Sequence, residues 1–383
     1  MNRQITEEKR ASERVSGRKS FDAAVVPSKK YFIILITTCV LLLSFTVSFF
    51  AVLAQDFSNN DNDVSFEGGN QIPNNNSQNN SQNNSQSKPS SSIGGGASIG
   101  GNYPGKTVSK RSSYISKSAA SVAKVGEAIR SDNVILVDLD SYESIAEKSA
   151  DTKIYPASMT KVMSLLVACE NVKSLKTELE VTKTLTDYAQ KMGGSGIGLK
   201  PGDTLTVQDL LYLTAYSSDT VAVIMLANHV AGSESEFVKL MNSKARALGL
   251  SNTNFDNCTG LHSENNYTTC REMAAIMAYA LENPLCKELL TSYNKYSIGN
   301  KYAIYSSWYS QRFSDNPRLA TVTVTGGKTG YIDESGFCLV SYAIGRSSGK
   351  GYIQVIVGEP KGSGLTESLS VQDIKYVYNN YAK

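Results

Sequence analysis

A stretch of 24 residues without a charged side chain, from Tyr31 to Ala54, divides this 383-residue chain into parts that cannot share one core. As a helix it would be about 36 Å long, enough to cross a bilayer core of roughly 30 Å. Residues 1–30 carry eight Lys/Arg against four acids, a net charge of +4. The positive-inside rule places this basic tail in the cytoplasm and the rest of the chain outside. The sequence therefore predicts a single-pass anchor in the cell membrane with an extracellular C-terminal domain.

A cleaved signal peptide is the alternative for this stretch, because Val52-Leu53-Ala54 could serve as a cleavage site. Two features favour a retained transmembrane helix. The segment before it is long for a signal peptide, and the apolar run exceeds the usual length of about 7 to 15 residues.

The segment 55–112 is dominated by Asn, Ser, Gln and Gly, with a near-repeat of 74–78 at 83–86. Such a composition cannot bury enough apolar surface to offset the entropy lost on folding. We therefore predict a disordered, flexible linker that lets residues 113–383, the folded domain, reach something outside the cell.

Charge and histidine content disfavour two classes of function. The whole chain carries +3, so the part after residue 30 carries −1 and gives no support for nucleic-acid binding. Only two histidines occur, His229 and His262, and neither lies in a metal-binding pattern or beside a Gly-x-Ser-x-Gly turn. We expect both to be structural, with no metal and no cofactor.

Hydrophobic spacing in the folded domain predicts strands at both ends and helices between them. Predicted helices cover Ala119–Arg130, the segment that begins at Ser158, Val207–Ala215, Val221–Ala231, Ser235–Leu248, Arg271–Glu282 and Ser370–Tyr381. Predicted strands cover Asn133–Asp138, Thr321–Val324, Gly336–Ala343 and Tyr352–Val357. This order predicts an α+β fold, an antiparallel sheet packed against a mainly helical region.

The segment Tyr155–Lys161 contains a Ser-x-x-Lys motif, followed at once by the apolar run 162–168. If Ser158 opens a helix, its hydroxyl and the amine of Lys161 project from one face, close enough to exchange a proton. A serine attacks carbonyl groups at neutral pH only when a base removes its proton, and a buried lysine can be that base. Alone, however, this motif is also common on ordinary helices.

Two later segments make the motif informative. Tyr216–Ala222 contains a serine pair about 60 residues after Ser158, and Gly327–Tyr331 contains Lys-Thr-Gly about 110 residues further on. Serine β-lactamases and penicillin-binding proteins share a Ser-x-x-Lys, Ser-Asp-Asn, Lys-Thr-Gly set in this order.

On these motifs, residues 113–383 resemble the serine-type D-alanyl-D-alanine carboxypeptidases, low-molecular-mass penicillin-binding proteins that trim bacterial peptidoglycan. Further segments match that family at similar spacing: Leu199–Gly202, Met241-Asn242, Ala247–Leu250, Thr259–Leu261, Thr268-Thr269 and Gly336-Phe337. The resemblance implies an antiparallel five-stranded sheet with flanking helices and a mainly helical region. It also implies peptidoglycan D-Ala-D-Ala stem peptides as substrate, β-lactams as covalent inhibitors, and a bacterial envelope of Gram-positive type.

The resemblance assigns the catalytic steps to four residues. Ser158 would attack the carbonyl of the penultimate D-alanine, and Lys161 would take its proton. Ser218 would relay a proton to the leaving amine. The backbone N–H groups of Ser158 and Tyr331 would form the oxyanion hole.

Substrate binding is assigned to the Lys-Thr-Gly segment. Lys328 would be a fixed cation that helps to keep Lys161 neutral and attracts a carboxylate. Thr329 would offer its hydroxyl to the terminal carboxylate of the substrate, and Gly330 would let the strand approach the substrate backbone.

The middle motif departs from the family pattern. It can be aligned as Ser217-Ser218-Asp219 or as Ser218-Asp219-Thr220, and we choose the second because the family places an alanine four residues after the serine, where Ala222 stands. Thr220 then replaces a substrate-binding asparagine. With its shorter hydroxyl, the contacts to Lys161 and to the substrate amide would be shortened or lost, which would cost about 1 to 3 kcal/mol.

The cysteines offer one candidate disulfide. Cys258 and Cys270 bracket a loop and lie in a compartment predicted to be oxidising, with two separate thiols as the alternative. The other cysteines outside the membrane segment, Cys169, Cys286 and Cys338, lie in apolar surroundings and are expected to be core residues.

Three functions are compatible with these motifs. The preferred one is a hydrolase that removes the terminal D-alanine through an acyl-Ser158 intermediate. A catalytically weak penicillin-binding or wall-sensing protein is the alternative, because Thr220 replaces the asparagine. A β-lactamase is disfavoured, because no Glu-x-x-Leu-Asn segment lies between Ser218 and Lys328.

Overall fold

A computed structural model describes residues 113–313, 316–359 and 369–383. The basic tail 1–30, the transmembrane helix 31–54 and the linker 55–112 lie outside the described residues and stay predictions. In the part that is described, no helix combines the length and the apolar character needed to cross a membrane.

Within the described residues, the main sheet has six strands and is mixed. The strands in chain order, including two short two-stranded sheets, are β1 Lys117–Lys124, β2 Asn133–Asp138, β3 Glu143–Lys148, β4 Glu178–Glu180, β5 Thr204–Thr206, β6 Tyr296–Ile298, β7 Tyr302–Ile304, β8 Val322–Ile332, β9 Gly336–Gly345 and β10 Gly351–Glu359. The main sheet runs β1-β3-β2-β10-β9-β8. Its neighbours are antiparallel except β1, which runs parallel to β3.

The predictions of a helix over Ala119–Arg130 and of a five-stranded antiparallel sheet are therefore wrong. The first part of that segment is the edge strand β1, which adds the sixth strand. Most of its side chains are exposed or half-buried, so the hydrophobic pattern did not distinguish helix from strand. Backbone pairing with β3 and a 2.7 Å hydrogen bond from Ser118 Oγ to Glu147 fix it as a strand.

The helices lie mainly between β3 and β8. In chain order, within the described residues, they are α1 Thr160–Asn171, α2 Lys183–Lys191, α3 Val207–Tyr216, α4 Thr220–Ala231, α5 Glu234–Ala247, α6 Cys270–Ala280, α7 Pro284–Thr291, α8 Ser307–Ser310 and α9 Leu369–Tyr381. Five of the predicted helices, those of α3, α4, α5, α6 and α9, agree with the structure to within two residues at each end. Side-chain caps explain these boundaries: Thr206 and Asp209 form a capping box at α3, and Asp219 caps α4.

The sheet separates two hydrophobic clusters, as the fully buried strand β2 illustrates. Ile135 and Val137 face the larger cluster, which includes the helical region, while Val134 and Leu136 face a smaller cluster with α9. Alternation with a period of two residues places successive side chains on opposite faces of a sheet. Both faces are therefore covered, and the helical region is packed on the face where the candidate site lies.

The candidate disulfide is not formed, because Cys258 and Cys270 are both free thiols. Cys258 Sγ donates to Glu234 Oε1 at 3.2 Å, and Cys270 is the first residue of α6, where burial raises the pKa of its thiol. Spacing across a loop does not define the direction of the side chains, which decides whether a bridge forms. Cys169, Cys286 and Cys338 are buried, as predicted.

A buried ion-pair network centred on Arg271 joins α6 to the edge of the sheet. Arg271 Nη2 lies 2.9 Å from Glu147 Oε1, Nε lies 2.7 Å from Asp151 Oδ1, and Nη1 donates to Ser144 Oγ at 3.0 Å. Hydrogen bonds from Ser144, Ser118, Arg271 and Lys124 outweigh the effect of burial and lower the pKa of Glu147 to about 2.

We expect Arg271→Ala to lower the free energy of unfolding by about 3 to 5 kcal/mol, because Glu147 would keep a buried charge without the buried guanidinium that pairs with it. Urea denaturation measures this change. Lys124→Ala is the control: its amine also contacts Glu147, at 3.2 Å, but the side chain is 74% exposed. It should cost no more than about 1 kcal/mol. Equal losses in the two variants would contradict a dominant role for the buried pair.

Candidate active site

Ser158 and Lys161 meet at the start of the central helix. A 3₁₀ turn, Ala157–Met159, leads directly into α1, and Lys161 Nζ lies 3.1 Å from Ser158 Oγ. The structure thus brings together the two residues of the Ser-x-x-Lys motif, one helical turn apart. Ala157 has a φ of +48°, a conformation that non-glycine residues rarely adopt and that often occurs at functional sites.

The amine of Lys161 is enclosed by the protein. Its side chain is 1% exposed, and Nζ donates to the carbonyl oxygen of Thr259 at 2.5 Å. Burial lowers the pKa of Lys161 from 10.5 to about 8, although the nearby charge of Asp219 opposes this shift. The neutral amine that a base requires is therefore accessible near neutral pH.

Gly260 holds the Thr259 carbonyl next to this turn. Its φ is +76°, and a Cβ atom there would lie 1.9 Å from the carbonyl oxygen of Ala157. Only glycine fits at this close approach. The backbone of Thr259-Gly260 therefore packs directly against the segment that presents Ser158.

Ser218 and Lys328 form the second contact between motifs. Lys328 Nζ donates a short hydrogen bond to Ser218 Oγ and another, of 3.0 Å, to the carbonyl oxygen of Thr329. Ser218 has a φ of +55°, so it too has an uncommon conformation. Burial and repulsion from Lys161 lower the pKa of Lys328, so the structure disfavours charge on both amines at once.

Strand β8 runs beside the Ser158 turn. A Cβ atom at Gly330 would lie 3.1 Å from the backbone nitrogen of Ser158 and 2.6 Å from Cys338 Sγ, so this position needs glycine. Tyr331, the next residue, follows along the same strand. Thr329 Oγ1 lies 2.9 Å from Ser307 Oγ, which anchors the threonine hydroxyl.

Thr220 follows Ser218 and Asp219 in the second motif. It is the first residue of α4 and is 1% exposed, and its backbone N–H donates to the carbonyl oxygen of Ser195 at 2.8 Å. Its hydroxyl has no hydrogen-bond partner within the part of the chain that the structure describes. Its side chain packs on Gly194, where an added Cβ atom would lie 2.8 Å away.

Three residues have roles at this site that sequence reasoning did not assign. The Thr259 carbonyl contacts Lys161, and Ser307 contacts Thr329. Asp219 caps α4 by accepting from the backbone N–H of Ala222, and it also accepts from the N–H of Ile197 in the loop before β5. Asp219 could have been found, because an aspartate before an apolar helical run is an N-cap signal. A backbone carbonyl has no sequence signature, and Ser307 belongs to no motif.

The arrangement is suited to nucleophilic acyl transfer. A half-buried alcohol lies beside a buried amine, and a second amine and two further hydroxyls line the opposite wall on β8 and the turn before α4. These are the components of a nucleophile, a base and a carboxylate-binding site. Among the described residues no group of three His, Cys, Asp or Glu side chains is arranged to hold a metal ion.

Comparison with known proteins points in the same direction. A family model described as D-alanyl-D-alanine carboxypeptidase matches residues 117–361. The D-alanyl-D-alanine carboxypeptidase DacF of Bacillus subtilis is 33% identical over 214 residues, 55% of this chain and 53% of the relative. A D-alanyl-D-alanine endopeptidase of Pseudomonas aeruginosa is 27% identical over 215 residues, 56% of this chain and 67% of the relative. This chain spans about half the length of DacF and of similar curated relatives.

Solved structures share the fold. A DD-transpeptidase from Streptomyces has a TM-score of 0.55 at 23% identity, covering 65% of this chain and 95% of that one. Penicillin-binding protein 5 from Haemophilus influenzae has a TM-score of 0.55 at 24% identity, covering 65% of this chain and 69% of that one. The α+β fold with a mixed six-stranded sheet is therefore the fold of these enzymes.

Proposed function

The chain belongs to the D-alanyl-D-alanine carboxypeptidase family, peptidase family S11, and on that basis we propose that it is a serine hydrolase of peptidoglycan. Its reaction removes the C-terminal D-alanine of stem peptides through an acyl-Ser158 intermediate. The observation that carries this proposal is the 3.1 Å contact between Ser158 Oγ and the buried amine of Lys161. This contact supplies the base that a serine nucleophile needs.

The first step is attack on the carbonyl carbon of the penultimate D-alanine. Lys161, when neutral, takes the proton of the Ser158 hydroxyl as the new C–O bond forms. The backbone N–H groups of Ser158 and Tyr331 stabilise the oxyanion of the tetrahedral intermediate. The C–N bond then breaks as Ser218 donates its hydroxyl proton to the departing amine and takes up the proton that Lys161 held. Water then hydrolyses the ester, which releases the shortened peptide and restores the Ser158 hydroxyl.

The terminal carboxylate of the substrate is bound on β8. Thr329 offers its hydroxyl, held in place by Ser307, and Lys328 supplies the amine that attracts the carboxylate. An incoming carboxylate stabilises the charged form of Lys328. Gly330 keeps the strand free of a side chain where the substrate backbone must pass.

A catalytically weak penicillin-binding or wall-sensing protein is the second candidate. The buried hydroxyl of Thr220, which has no hydrogen-bond partner in the described part of the chain, favours it. Acylation needs Ser158 and Lys161, whereas productive binding of the peptide also needs the contacts that the family makes with an asparagine where this chain has Thr220. Release of D-alanine from a diacyl-D-Ala-D-Ala peptide, measured together with acylation by penicillin, separates the two. We expect both release of D-alanine and acylation by penicillin. Acylation by penicillin without release of D-alanine would favour the wall-sensing protein.

We also propose that residues 31–54 anchor the protein in the membrane, with residues 113–383 outside the cell. Support comes from the uncharged run and from the basic segment before it. Protease treatment of intact, wall-free cells tests this arrangement. Degradation of the 113–383 domain is expected, and its protection would place it inside.

Thr220→Val tests whether the unpartnered hydroxyl binds substrate. We expect release of D-alanine to fall about 3- to 10-fold, because one uncharged hydrogen bond to substrate is lost. The free energy of unfolding should stay within about 0.5 kcal/mol, because the hydroxyl has no partner among the described residues.

Thr214→Val is the matched control for this variant. Thr214 is also buried, but its hydroxyl donates to the carbonyl oxygen of Leu210 at 2.8 Å within α3. It should lose about 1 kcal/mol of stability and keep its activity. Unchanged turnover in Thr220→Val would remove Thr220 from the substrate-binding site.

A further inference from the structure

The carbonyl oxygen that accepts from the Lys161 amine lies in an irregular part of the chain. It belongs to Thr259 and is 2.5 Å from Lys161 Nζ, and residues 255–263 form neither helix nor strand. The hydrogen bonds of a helix or a sheet therefore do not fix its direction. Side-chain contacts must do so, and a contact that holds this segment also helps to determine where the amine of Lys161 lies.

Glu234, the first residue of α5, holds the residue that precedes Thr259. Its Oε1 accepts from the backbone N–H of Cys258 at 3.2 Å and from the Cys258 thiol at 3.2 Å. Cys258 is fully buried, where a backbone N–H without a partner would be costly. Burial and the carboxylate of Glu234 raise the pKa of the thiol, so the thiol stays protonated and remains a donor. Both donors of Cys258 thus converge on one carboxylate oxygen.

The carboxylate of Glu234 is itself held by two helices. Its Oε2 accepts from the hydroxyl of Tyr188, on α2, at 3.4 Å. Glu234 lies in the first turn of α5, where the helix dipole favours a negative charge. Ser233 caps this helix by accepting from the backbone N–H of Glu236. The position of Oε1 is therefore set by regular elements rather than by the irregular segment that it contacts.

Two other side chains hold the same segment. Ser164 Oγ, on α1, donates to the carbonyl oxygen of Cys258 at 2.7 Å. Asn257 Oδ1 accepts from the N–H groups of Thr259 at 3.2 Å and Gly260 at 2.7 Å. The first contact fixes the segment against α1, and the second fixes its own turn. Glu234 adds the connection to α5.

We propose that Glu234 is a positioning residue for the base Lys161. Through Cys258 it holds the Thr259 carbonyl, and this carbonyl orients the amine toward Ser158 Oγ, 3.1 Å away. This role rests on the proposed function, which makes Lys161 the base, and it adds a residue outside the three motifs. The donors that Glu234 serves, an N–H and an S–H group, are uncharged, so a correctly placed acceptor oxygen matters more than a negative charge.

Two variants separate the reach of this side chain from its charge. Glu234→Gln keeps an oxygen at the same distance and removes the charge. Glu234→Asp keeps the charge, which remains favourable in the first turn of a helix, but it is one carbon shorter and its oxygen no longer reaches Cys258. The limiting rate of acylation at saturating penicillin is measured with the full-length protein. It should stay within about twofold in Glu234→Gln and fall about tenfold in Glu234→Asp, because misplaced reacting groups lose much of the benefit of alignment.

The pH profile of acylation distinguishes positioning from a loss of stability. The Thr259 carbonyl stabilises the protonated amine of Lys161, so its displacement lowers the pKa of Lys161 and should move the midpoint of the profile to lower pH in the aspartate variant. The other titratable groups that act on these amines, Asp219, Cys258 and Lys328, are the same in both variants. A smaller folded fraction would lower the rate without moving the midpoint. A lower rate with an unmoved midpoint would therefore overturn the proposal.

Glu236→Asp is the matched control. Glu236 lies in the same first turn of α5, but its carboxylate pairs with Lys239 at 2.6 Å and is 54% exposed. The same shortening there should leave the limiting rate within about twofold of the unmodified protein. An equal loss in this control, a slow Glu234→Gln variant or an unchanged Glu234→Asp variant would each overturn the proposal.

Hydrogen exchange of the backbone amides of residues 257–261, measured by mass spectrometry, separates this inference from the proposed function, because it needs no reaction. Faster exchange in Glu234→Asp, with exchange in Glu234→Gln unchanged, would support the role of Glu234 in holding the segment even if penicillin did not acylate the protein. Equal exchange in both variants and the unmodified protein would refute that role even if all three were acylated.

Discussion

Replacing Ser158 with alanine should abolish acylation by penicillin and lower release of D-alanine by about 10,000-fold or more, as loss of a nucleophile does in serine hydrolases. The reason is that every later step needs the acyl-Ser158 bond. Mass spectrometry of the full-length protein after exposure to penicillin measures the first effect. In the unmodified protein the adduct should map to the peptide that contains Ser158, and in the variant it should be absent.

Ser164→Ala is the control for this experiment. Ser164 lies on α1, is buried, and donates to the carbonyl oxygen of Cys258 at 2.7 Å, next to the Thr259 carbonyl that contacts Lys161. This variant should lose about 1 kcal/mol of stability but still form the adduct. An adduct on Ser218, or one that persists in Ser158→Ala, would show that the nucleophile has been assigned to the wrong residue.

The sequence was most informative where the relevant geometry is local. The contact between Ser158 and Lys161 depends only on the rise and turn of one helix, so the spacing of three residues predicted it. The helices α3 to α6 were likewise anticipated, because their apolar periodicity and capping residues act within a few positions.

Contacts between distant segments needed the family resemblance. Ser218 and Lys328 are 110 residues apart, and no local pattern indicates that their side chains meet. Only the order of the three motifs, shared with penicillin-binding proteins, indicated that both residues belong to one site, and the contact between them was not predicted. At position 220 the resemblance implied the contacts of an asparagine, which the shorter Thr220 side chain was expected to shorten or lose. In the structure this side chain packs against Gly194, and its hydroxyl has no hydrogen-bond partner among the described residues.

The wrong predictions share a physical cause, which is that they concern pairing rather than periodicity. Strand β1 has small and polar side chains at the edge of the sheet, and its pairing with β3 decides its structure. For Cys258 and Cys270, the loop length permitted a bridge, but each thiol packs among different neighbours. Such pairings depend on the tertiary structure, which a single sequence does not reveal.

Lys161→Met should lower the rate of acylation by penicillin and of D-alanine release about 100- to 10,000-fold, because it removes the base while keeping an unbranched apolar side chain in the same space. The variant leaves the Thr259 carbonyl without its 2.5 Å partner, which should cost about 1 to 3 kcal/mol of stability. Activity and stability are therefore measured separately, at a temperature where the variant is folded. If Lys161→Met unfolds, it will lose the circular dichroism signal of the folded protein. If it lacks only the base, this signal will match that of the unmodified protein.

The pH dependence of acylation distinguishes a base from a residue that only maintains the structure. Because burial lowers the pKa of Lys161 to about 8, its amine is largely protonated at pH 6 and largely neutral at pH 9. Only the neutral form accepts the Ser158 proton, so the rate should rise about tenfold per pH unit below pH 8 and level off above it. In Lys161→Met the residual rate should lose this rise. A flat profile from pH 6 to pH 9 in the unmodified protein, or the same profile in both proteins, would mean that another group removes the proton from Ser158.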